Sequence, residues 1–517
     1  MKNQFPMIRY NNIPEMVINS KNRFYNKAAI RWIRKVDDKL QTISFNELVD
    51  CMTTIFYALN QMGFKKKDHM GICSKSSPEW IMTDLGIQTL GGVTVPIDPT
   101  LKRKEIKYIL KDSECKAVFI DKLKSMKKID SIISDLPELK LIVMFTSKKQ
   151  SIKNSNVMSF DELLSLGEKQ YYTSNKFNSS VSNINEDDVA SIIYTPRTKE
   201  DPKGILLTHK NILSDAIASV SITMKFKKRV KPWKQHYFSV IPFSDLFGRI
   251  LMISSLLIGA TIDIINQLNP KVIEKSLEKF KPTIMVANPL VYQVIYNTIF
   301  KELEQYSEKQ RKLVNDVIEN GELYYTNKRN DIKIKLKVKL RHKILAKIVG
   351  KKIRENFGGK LMLMISTPAN ISEKLIYFFN TIGIPLITTY GLTEASGITH
   401  ILRTKNSSKF RPNFKKKIHF YDKIGSRGPP IEIPNNPYNN IQQKKFKKNG
   451  EFLIKGPMIM KGYWKNSGAT AKAIDDHDWL HTGDFAEIDE DGYLFIKAQK
   501  SKKIKNPSEK QIDLQIQ

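Results

Sequence analysis

Residues 190–212 of this 517-residue chain read ASIIYTPRTKEDPKGILLTHKNI. The apolar run 191–194 has the composition of a buried strand, and Pro202, Lys203 and Gly204 close the polar loop that follows it. Thr208 is well placed to cap the next helix. A strand, a loop rich in hydroxyls and cations, and then a helix form a layout that holds phosphate groups. Many α/β proteins contain such turns, so other motifs must support this interpretation.

Helical and strand patterns alternate through the first half of the chain, which predicts an α/β fold with parallel sheets. The spacing of apolar residues predicts helices at residues 45–62, 78–90 and 104–111 and strands at residues 69–73, 93–97, 117–120 and 141–145. The most apolar stretch, residues 250–262, is too short to span a bilayer. We interpret it as a buried strand or helix.

The chain carries a formal charge of +33, from 85 Lys and Arg against 52 Asp and Glu. The basic residues are spread along the whole sequence and no nucleic-acid motif accompanies them, so we expect no nucleic-acid partner. The charge therefore reflects either a general lysine bias or, as the alternative, attraction to anionic lipid or to phosphate-bearing substrates.

The residues that report on the cellular compartment predict a cytoplasmic protein. Cys51, Cys73 and Cys115 have no metal-type spacing and suggest a reducing compartment without disulfides. The first residues, MKNQFPMIRY, lack the apolar core of a signal peptide. Peripheral contact with the inner membrane surface is the alternative location. The basic stretch 309–354, which we expect to be helical, is interpreted either as a solvated helical face or as a membrane-surface contact.

Two further blocks carry chemically informative residues. Residues 387–396 read ITTYGLTEAS and follow a strand-like run. Residues 450–464 read GEFLIKGPMIMKGYW, and WLHTGD follows at residues 479–484. A carboxylate such as Asp484 can accept hydrogen bonds from two hydroxyl donors. Either block alone could be an ordinary turn, but their order along the chain is informative.

Together these blocks resemble the adenylate-forming (AMP-binding) superfamily, and within it the long-chain fatty acid–CoA ligase family. The family signatures Y-T-S-G-T-T-G-x-P-K-G, Y-G-x-T-E and W-x-x-T-G-D correspond to residues 194–204, 390–394 and 479–484. The resemblance implies an α/β fold: a large N-terminal domain of stacked mixed sheets with flanking helices and a small β subdomain. We also expect the C-terminal α+β lid domain of the family to be absent, because the sequence ends soon after the hinge region.

The resemblance implies ATP, Mg²⁺ and CoA as substrates and ion, with a fatty acid as the acyl donor. Tyr390 would stack on adenine, Asp484 would bind the ribose hydroxyls and Glu394 would hold Mg²⁺. The remaining nucleotide and metal contacts would come from Thr195, Thr198 (also a metal ligand), Lys203, Gly391 and Thr393. The catalytic residues carried over in this way are Lys203, Thr393 and Glu394. The activity implied is the formation of acyl-CoA, AMP and pyrophosphate through an acyl-AMP intermediate.

The sequence also departs from the family pattern. Pro196 and Arg197 replace the Ser-Gly of the phosphate loop, and Lys199 and Glu200 replace its next Thr-Gly. Glycine permits a close approach of the backbone to a phosphate, and proline lacks the N–H donor. Gln499 stands where the family has a hinge arginine. These changes support the alternative that the chain is a catalytically impaired relative that keeps a nucleotide or acyl pocket.

We expect four units along the chain. Residues 1–190 form a first α/β subdomain, and residues 191–389 form a second that carries the phosphate loop and the basic stretch. Residues 390–497 hold the YGLTE block and a small β subdomain, and residues 498–517 are a remnant of the hinge.

Overall fold

The computed structural model describes residues 9–34, 37–146, 156–171, 176–195, 201–226, 231–265, 269–305, 307–329, 332–368, 371–401, 418–420, 451–488 and 493–499. The helices in these ranges are α1 Ile13–Phe24, α2 Phe45–Gln61, α3 Pro78–Thr89, α4 Arg103–Asp112, α5 Leu123–Asp130, α6 Phe160–Tyr171, α7 Lys176–Ser182, α8 His209–Phe226, α9 Leu246–Leu257, α10 Pro270–Phe280, α11 Pro289–Leu303, α12 Glu308–Arg329, α13 Leu336–Glu355, α14 Glu373–Thr381 and α15 Ser467–Ala473.

The strands in the same ranges belong to two sheets. They are β1 Ala28–Ile33, β2 Leu40–Ser44, β3 His69–Cys73, β4 Val93–Ile97, β5 Ala117–Ile120, β6 Leu141–Met144, β7 Asn156–Ser159, β8 Val189–Thr195, β9 Lys203–Thr208, β10 His236–Ser239, β11 Thr261–Ile264, β12 Ile284–Ala287, β13 Leu363–Ser366, β14 Leu386–Tyr390, β15 His400–Ile401, β16 Ile418–Phe420, β17 Glu451–Ile454, β18 Gly462–Tyr463, β19 Leu480–Ile488 and β20 Tyr493–Gln499.

The larger sheet has the order β17-β19-β20-β16-β15-β14-β13-β12-β10-β11-β1-β2 within the described residues. Its centre, from β14 through β1, is parallel, as expected where helices cover both faces of a sheet. From β14 outward the pairings become antiparallel and continue through β15, β16, β20, β19 and β17. The candidate site lies where these two halves meet.

The smaller sheet has the order β18-β9-β8-β4-β3-β5-β6-β7. Its strands β4, β3, β5, β6 and β7 are parallel, and the antiparallel hairpin of β8 and β9 closes one side. One hydrophobic core joins the two sheets, because Ile30 of the larger sheet and Ile193 of the smaller one belong to the same cluster of buried side chains. This architecture confirms the predicted α/β fold of mixed sheets with flanking helices.

The elements predicted from apolar spacing agree closely with the structure. The strands at residues 69–73, 93–97 and 117–120 have the predicted bounds, and the helices beginning at Phe45 and Pro78 end within one residue of the prediction. Gly91 follows the second helix with φ +72°, a backbone conformation that favours glycine. The apolar stretch 250–262 forms the end of α9 and the start of β11, both buried.

Strand β9, which follows the phosphate loop, was not predicted. The sequence suggested that the phosphate loop runs directly into a helix, but β9 stands between them. β9 pairs with β8 on one side and with β18 on the other, and β18 lies more than two hundred residues further along the chain. A strand stabilised by such distant pairing has little local signal, which explains the omission.

Neither sheet is built from the strands of a single one of the four expected units. β1 and β2 precede residue 190 but join the larger sheet, while β8 and β9 join the smaller one. Residues 500–517 of the expected hinge remnant lie outside the described residues. The four-unit division stays a prediction. Among the described residues, no helix is both long enough and apolar enough to cross a membrane.

Candidate active site

The phosphate-loop signature lies on the hairpin of β8 and β9. Thr195 ends β8 and pairs in register with Lys203, which begins β9. Ser191 donates a 2.7 Å hydrogen bond from its hydroxyl to the carbonyl of Thr94, which fixes β8 against β4. The predicted phosphate and metal ligand Thr198 falls within residues 196–200, outside the described residues. The two ends of the loop are therefore placed next to each other by strand pairing.

The helix that follows β9 is fixed by two polar side chains at its first turn. Thr208 accepts a 3.2 Å hydrogen bond from the backbone N–H of Asn211, so the predicted capping role of Thr208 is confirmed. The amide group of Asn211 donates two hydrogen bonds of 2.8 Å, one to the carbonyl of Pro457 and one to that of Ile459. These bonds hold the sequence block 450–464 against the start of α8.

The YGLTE block follows β14 as a tight turn. Residues Thr393–Ala395 form a short 3-10 helix, and Ser396 and Gly397 then adopt positive φ values of 58° and 121°. Gly391 lies against this turn, since a Cβ atom added to it would stand 1.6 Å from the carbonyl oxygen of Gly397. The glycine predicted to contact nucleotide is thus also required by the packing of its own loop.

Backbone hydrogen bonds connect this turn to the third block. The N–H of Met460 donates to the carbonyl of Glu394 at 2.9 Å. The hydroxyl of Ser396 donates to the carbonyl of Met458 at 2.7 Å. The position of Glu394 therefore depends on residues 458–460 as well as on its own 3-10 helix.

Tyr390 and Asp484 form a buried pair. The hydroxyl of Tyr390 donates a 2.6 Å hydrogen bond to Oδ2 of Asp484, and only 8% and 6% of the two residues are exposed. Burial, and then the negative charge of Asp484, raises the pKa of Tyr390 well above its ordinary value, so the phenol stays a neutral donor. The N–H of Asp484 donates to the Thr482 hydroxyl at 3.1 Å, which further orients the carboxylate.

A second contact joins Lys203 to Glu394 through Tyr463. The Nζ atom of Lys203 lies 5.6 Å from the centroid of the Tyr463 ring, within the range of a cation–π contact. The hydroxyl of Tyr463 donates to Oε1 of Glu394 at 3.0 Å. Tyr463 itself belongs to β18, which pairs with β9 beside Lys203. No role was predicted for Tyr463, although the sequence block GYW that contains it was recognised.

The structure thus brings several of the predicted residues together. Lys203 and Glu394 share contacts with Tyr463, and Tyr390, four residues before Glu394, contacts Asp484. Thr195 stands beside Lys203 on the hairpin, and Thr393 precedes Glu394 on the 3-10 helix. The three sequence blocks therefore meet in one region of the fold, at the boundary between the two sheets.

One buried side chain that contacts the residues following the YGLTE block was not predicted. Asp215 of α8 is buried, and its Oδ2 accepts a 3.0 Å hydrogen bond from the N–H of Ile398. Burial raises the pKa of Asp215 well above its ordinary value, because no ion pair offsets the loss of water in the contacts described for it. Asp215 lies one helical turn after Asn211 on α8, so both side chains are on the same face of the helix.

Gln499, which stands where the family has a hinge arginine, is placed by the pairing of β20 with β19. Gln499 pairs in register with Asp484 across β20 and β19, so the predicted hinge position lies next to the predicted ribose ligand.

The donor set fits a magnesium ion held largely by substrate. Among the described residues, no group of three or more His, Cys, Asp and Glu side chains is arranged to hold a metal. Mg²⁺ usually takes one or two carboxylates and completes its shell with phosphate oxygens and water. Glu394, half-buried and close to Lys203 through Tyr463, is a carboxylate of this kind.

Comparisons with known proteins agree on the family. A family model described as AMP-binding enzyme matches residues 19–464. Long-chain-fatty-acid–CoA ligase 1 of Cavia porcellus is 27% identical over 469 residues, covering 90% of this chain and 63% of that protein. The corresponding protein of Homo sapiens is 25% identical over 479 residues, with the same two coverages of 90% and 63%. This chain therefore spans slightly less than two thirds of the length of these curated relatives.

Solved structures show the same fold at lower sequence identity. A long-chain-fatty-acid–CoA ligase from Archaeoglobus fulgidus superposes with a TM-score of 0.67 at 18% identity, covering 96% of this chain and 86% of that one. The N-terminal domain of FACL13 from Mycobacterium tuberculosis gives a TM-score of 0.63 at 19% identity, covering 95% of this chain and 100% of that domain. Since the family model covers most of the chain and the fold agrees, the protein belongs to the family of AMP-binding enzymes.

Proposed function

We propose that this chain activates a long-chain fatty acid with ATP and Mg²⁺ for transfer to CoA. The observation that carries the proposal is the meeting of Lys203, Tyr463 and Glu394 next to the Tyr390–Asp484 pair. A cation, a carboxylate suited to magnesium and a carboxylate suited to hydroxyl groups are the three features that a magnesium nucleotide requires. The curated relatives, named as long-chain-fatty-acid–CoA ligases, support the choice of acyl donor.

In the first step the fatty acid carboxylate attacks the α-phosphorus of ATP. A carboxylate oxygen–phosphorus bond forms, and the bond to the bridging oxygen breaks, so pyrophosphate leaves with the electron pair. Lys203 and the hydroxyls of Thr195, Thr198 and Thr393 stabilise the phosphate charge. Glu394 would hold Mg²⁺, and the ion would supply neutralisation of charge at the phosphate oxygens.

In the second step the thiol of CoA loses its proton to water, and the thiolate sulfur attacks the carbonyl carbon of the acyl-AMP. The new carbon–sulfur bond forms as the bond to AMP breaks. During both steps Asp484 accepts hydrogen bonds from the ribose hydroxyls, Tyr390 packs against adenine, and Gly391 contacts the nucleotide from the loop. Holding the reacting groups in one geometry is the main contribution of such a site.

The test is ATP–pyrophosphate exchange with palmitate and Mg²⁺. We expect exchange by the wild type and a fall on the order of a hundredfold in Glu394→Gln, since the magnesium ligand is lost. Glu278→Gln, which changes an exposed glutamate on α10, is the matched control and should exchange normally. Wild-type exchange equal to that of Glu394→Gln would remove the proposed role of this carboxylate.

A second candidate is a catalytically impaired relative that binds nucleotide or acyl chain without turnover. The replacement of both glycines of the phosphate loop, at Arg197 and Glu200, favours it. In that case ATP would bind, for example in displacement of a fluorescent ATP analogue, while palmitate-dependent exchange would be absent. Exchange above the level of Glu394→Gln excludes this candidate.

The location that fits a fatty-acid substrate is the cytoplasm with peripheral contact to an anionic membrane. Long-chain fatty acids partition into bilayers, and the excess of lysine and arginine favours an anionic lipid surface. Fractionation of the native cells into supernatant and membrane pellets, at low and high salt, tests this location. Retention in the supernatant at low salt would contradict the membrane contact.

A further inference from the structure

Exposed apolar side chains are concentrated in the helical segment after α11. Nine large hydrophobic residues are exposed in the described part of the chain, and six of them lie between residues 313 and 344. Three of these form a row on α13 with a spacing of four residues, with exposed fractions of 79% for Leu336, 57% for Leu340 and 49% for Ile344. We call these three residues the α13 stripe. Such a patch needs an explanation because soluble surfaces seldom group apolar side chains in this way.

The opposite face of α13 is already packed against the protein. The ring of His342 stacks on Tyr324 of α12, with centroids 4.2 Å apart and nearly parallel planes. Side chains two positions apart on an α-helix point in directions that differ by about 200°. Leu340 and Ile344 each lie two positions from His342, so they point away from this contact. Ile353, further along α13, is buried at 6% exposure. The α13 stripe is therefore an outer face of the helix.

Cations surround the stripe. The twenty residues of α13 contain eight Lys and Arg and a single acid, Glu355. Lys337 and Lys339 are exposed in the same two turns as Leu336 and Leu340. Arg341 forms a 2.9 Å ion pair with Asp316 of α12, which ties the helix to its neighbour at the surface. An apolar row flanked by lysines is typical of helices that lie in the interface of a bilayer containing anionic lipid.

We propose that the α13 stripe is the surface through which this protein docks on an anionic lipid bilayer. Leu336, Leu340 and Ile344 enter the boundary between headgroups and acyl chains, while Lys337 and Lys339 contact lipid phosphates. The inference rests on the peripheral membrane contact in the proposed function and assigns it to one helix face. A second copy of the chain is a poorer occupant, because pairing two such faces would bring their cations together.

The experiment measures co-flotation of the protein with vesicles of phosphatidylcholine, either pure or mixed with phosphatidylglycerol. We expect wild-type protein to float with the mixed vesicles and much less with the pure ones. The variant Leu336→Ser/Leu340→Ser/Ile344→Ser should bind mixed vesicles about tenfold less tightly or worse. Leu290→Ser, which alters a leucine of α11 that is 52% exposed, is the matched control and should bind as the wild type.

The charge is tested separately. Lys337→Gln/Lys339→Gln should weaken binding to mixed vesicles on the order of tenfold and reduce its dependence on salt. Far-UV circular dichroism and thermal melting of each variant show that it is folded, since all of these side chains are exposed. Equal binding of wild type and the triple serine variant overturns the proposal, as does equal binding to both kinds of vesicle.

Two further outcomes are decisive. If the triple serine variant abolishes a concentration-dependent dimer and leaves vesicle binding intact, the stripe joins two copies and the lipid proposal is wrong. ATP–pyrophosphate exchange without vesicles separates this inference from the proposed activity, because exchange does not require the stripe. Vesicle binding without exchange would contradict only the ligase proposal, and exchange without vesicle binding would contradict only the docking proposal.

Discussion

The hydroxyl of Tyr390 donates a 2.6 Å hydrogen bond to the carboxylate of Asp484, a residue 94 positions away. Tyr390 ends the last parallel strand of the larger sheet, and Asp484 lies in its antiparallel part. The bond therefore fixes the two halves of the sheet at the point where nucleotide is proposed to bind.

The substitution Tyr390→Phe removes this donor and keeps the ring. Because Asp484 is buried, the loss should reduce the free energy of unfolding by about 1–3 kcal/mol. It should also weaken ATP binding, since the carboxylate loses one of the groups that orient it. Urea denaturation and displacement of a fluorescent ATP analogue measure the two effects. Tyr25→Phe, at a tyrosine that is 53% exposed, is the control, and an equal change in both variants would argue against the pair.

Tyr463→Phe separates the two contacts of this tyrosine. The ring over Lys203 stays, but Glu394 loses the 3.0 Å hydrogen bond from the hydroxyl. We expect the Mg²⁺ concentration required for half-maximal exchange to rise several-fold, because the lost hydrogen bond should weaken the binding free energy of Mg²⁺ by about 1 kcal/mol. Tyr463→Leu removes both contacts and should raise the requirement for ATP as well. If the phenylalanine variant exchanges at wild-type Mg²⁺ levels, the hydroxyl does not position Glu394.

The pH dependence of stability should reflect Asp215. Its pKa is raised by burial in the folded state, so the folded protein holds the proton more tightly than the unfolded chain. Stability contributed by this group is therefore greatest at low pH and falls as pH rises above the unfolded value of about 3.9. Asp215→Asn can still accept the N–H of Ile398 and carries no charge.

We expect Asp215→Asn to raise the melting temperature at pH 7 more than at pH 5. Thermal melting at both pH values measures this, with Asp130→Asn, at an exposed aspartate of α5, as the control. A drop in melting temperature of the asparagine variant at pH 7 would mean that the carboxylate has an ionic partner when the protein is folded.

The ion pair of Arg249 and Asp84 is fully buried. The guanidinium of Arg249 donates to both oxygens of Asp84, at 2.7 and 3.1 Å, and both side chains are 0% exposed. Arg249→Met leaves Asp84 without its counterion and should cost about 3–5 kcal/mol of unfolding free energy. The double change Arg249→Met/Asp84→Leu should recover a large part of that loss, as measured by urea denaturation. If the double variant does not recover unfolding free energy, the packing of the two side chains contributes more to stability than the pairing of their charges.

The sequence predicted the local elements of this fold well and the contacts between distant elements poorly. Helix α2 has an apolar face and a clear cap, formed by Ser44 with Glu47. Helix α3 and strands β3 and β4 are short, almost fully buried runs, and Ser77 with Pro78 marks the start of α3. β9 was missed because its partners include β18, far along the chain. The alternating run of residues 333–339 did not indicate where α13 begins, which is at Leu336.

The candidate site shows the same division. Tyr390, Glu394 and Asp484 were recognised from their motifs, but the contact of Tyr463 with Glu394 spans 69 positions and has no local signal. Asp215 looked like any polar residue of a helix, because only tertiary packing buries it against Ile398. Motifs therefore identified which residues to consider, and the packing of the sheets identified how they are connected.

The segment 451–464 begins as β17 in the larger sheet and ends as β18 in the smaller one. On its way it donates a backbone hydrogen bond to Glu394 and accepts two side-chain hydrogen bonds from Asn211. The segment crosses the boundary between the two sheets, so a shift of one sheet relative to the other would displace Glu394, the proposed magnesium ligand. A nucleotide that binds only when the two sheets are in this arrangement should stabilise the arrangement in turn. Saturating ATP should therefore raise the free energy of unfolding of both sheets together.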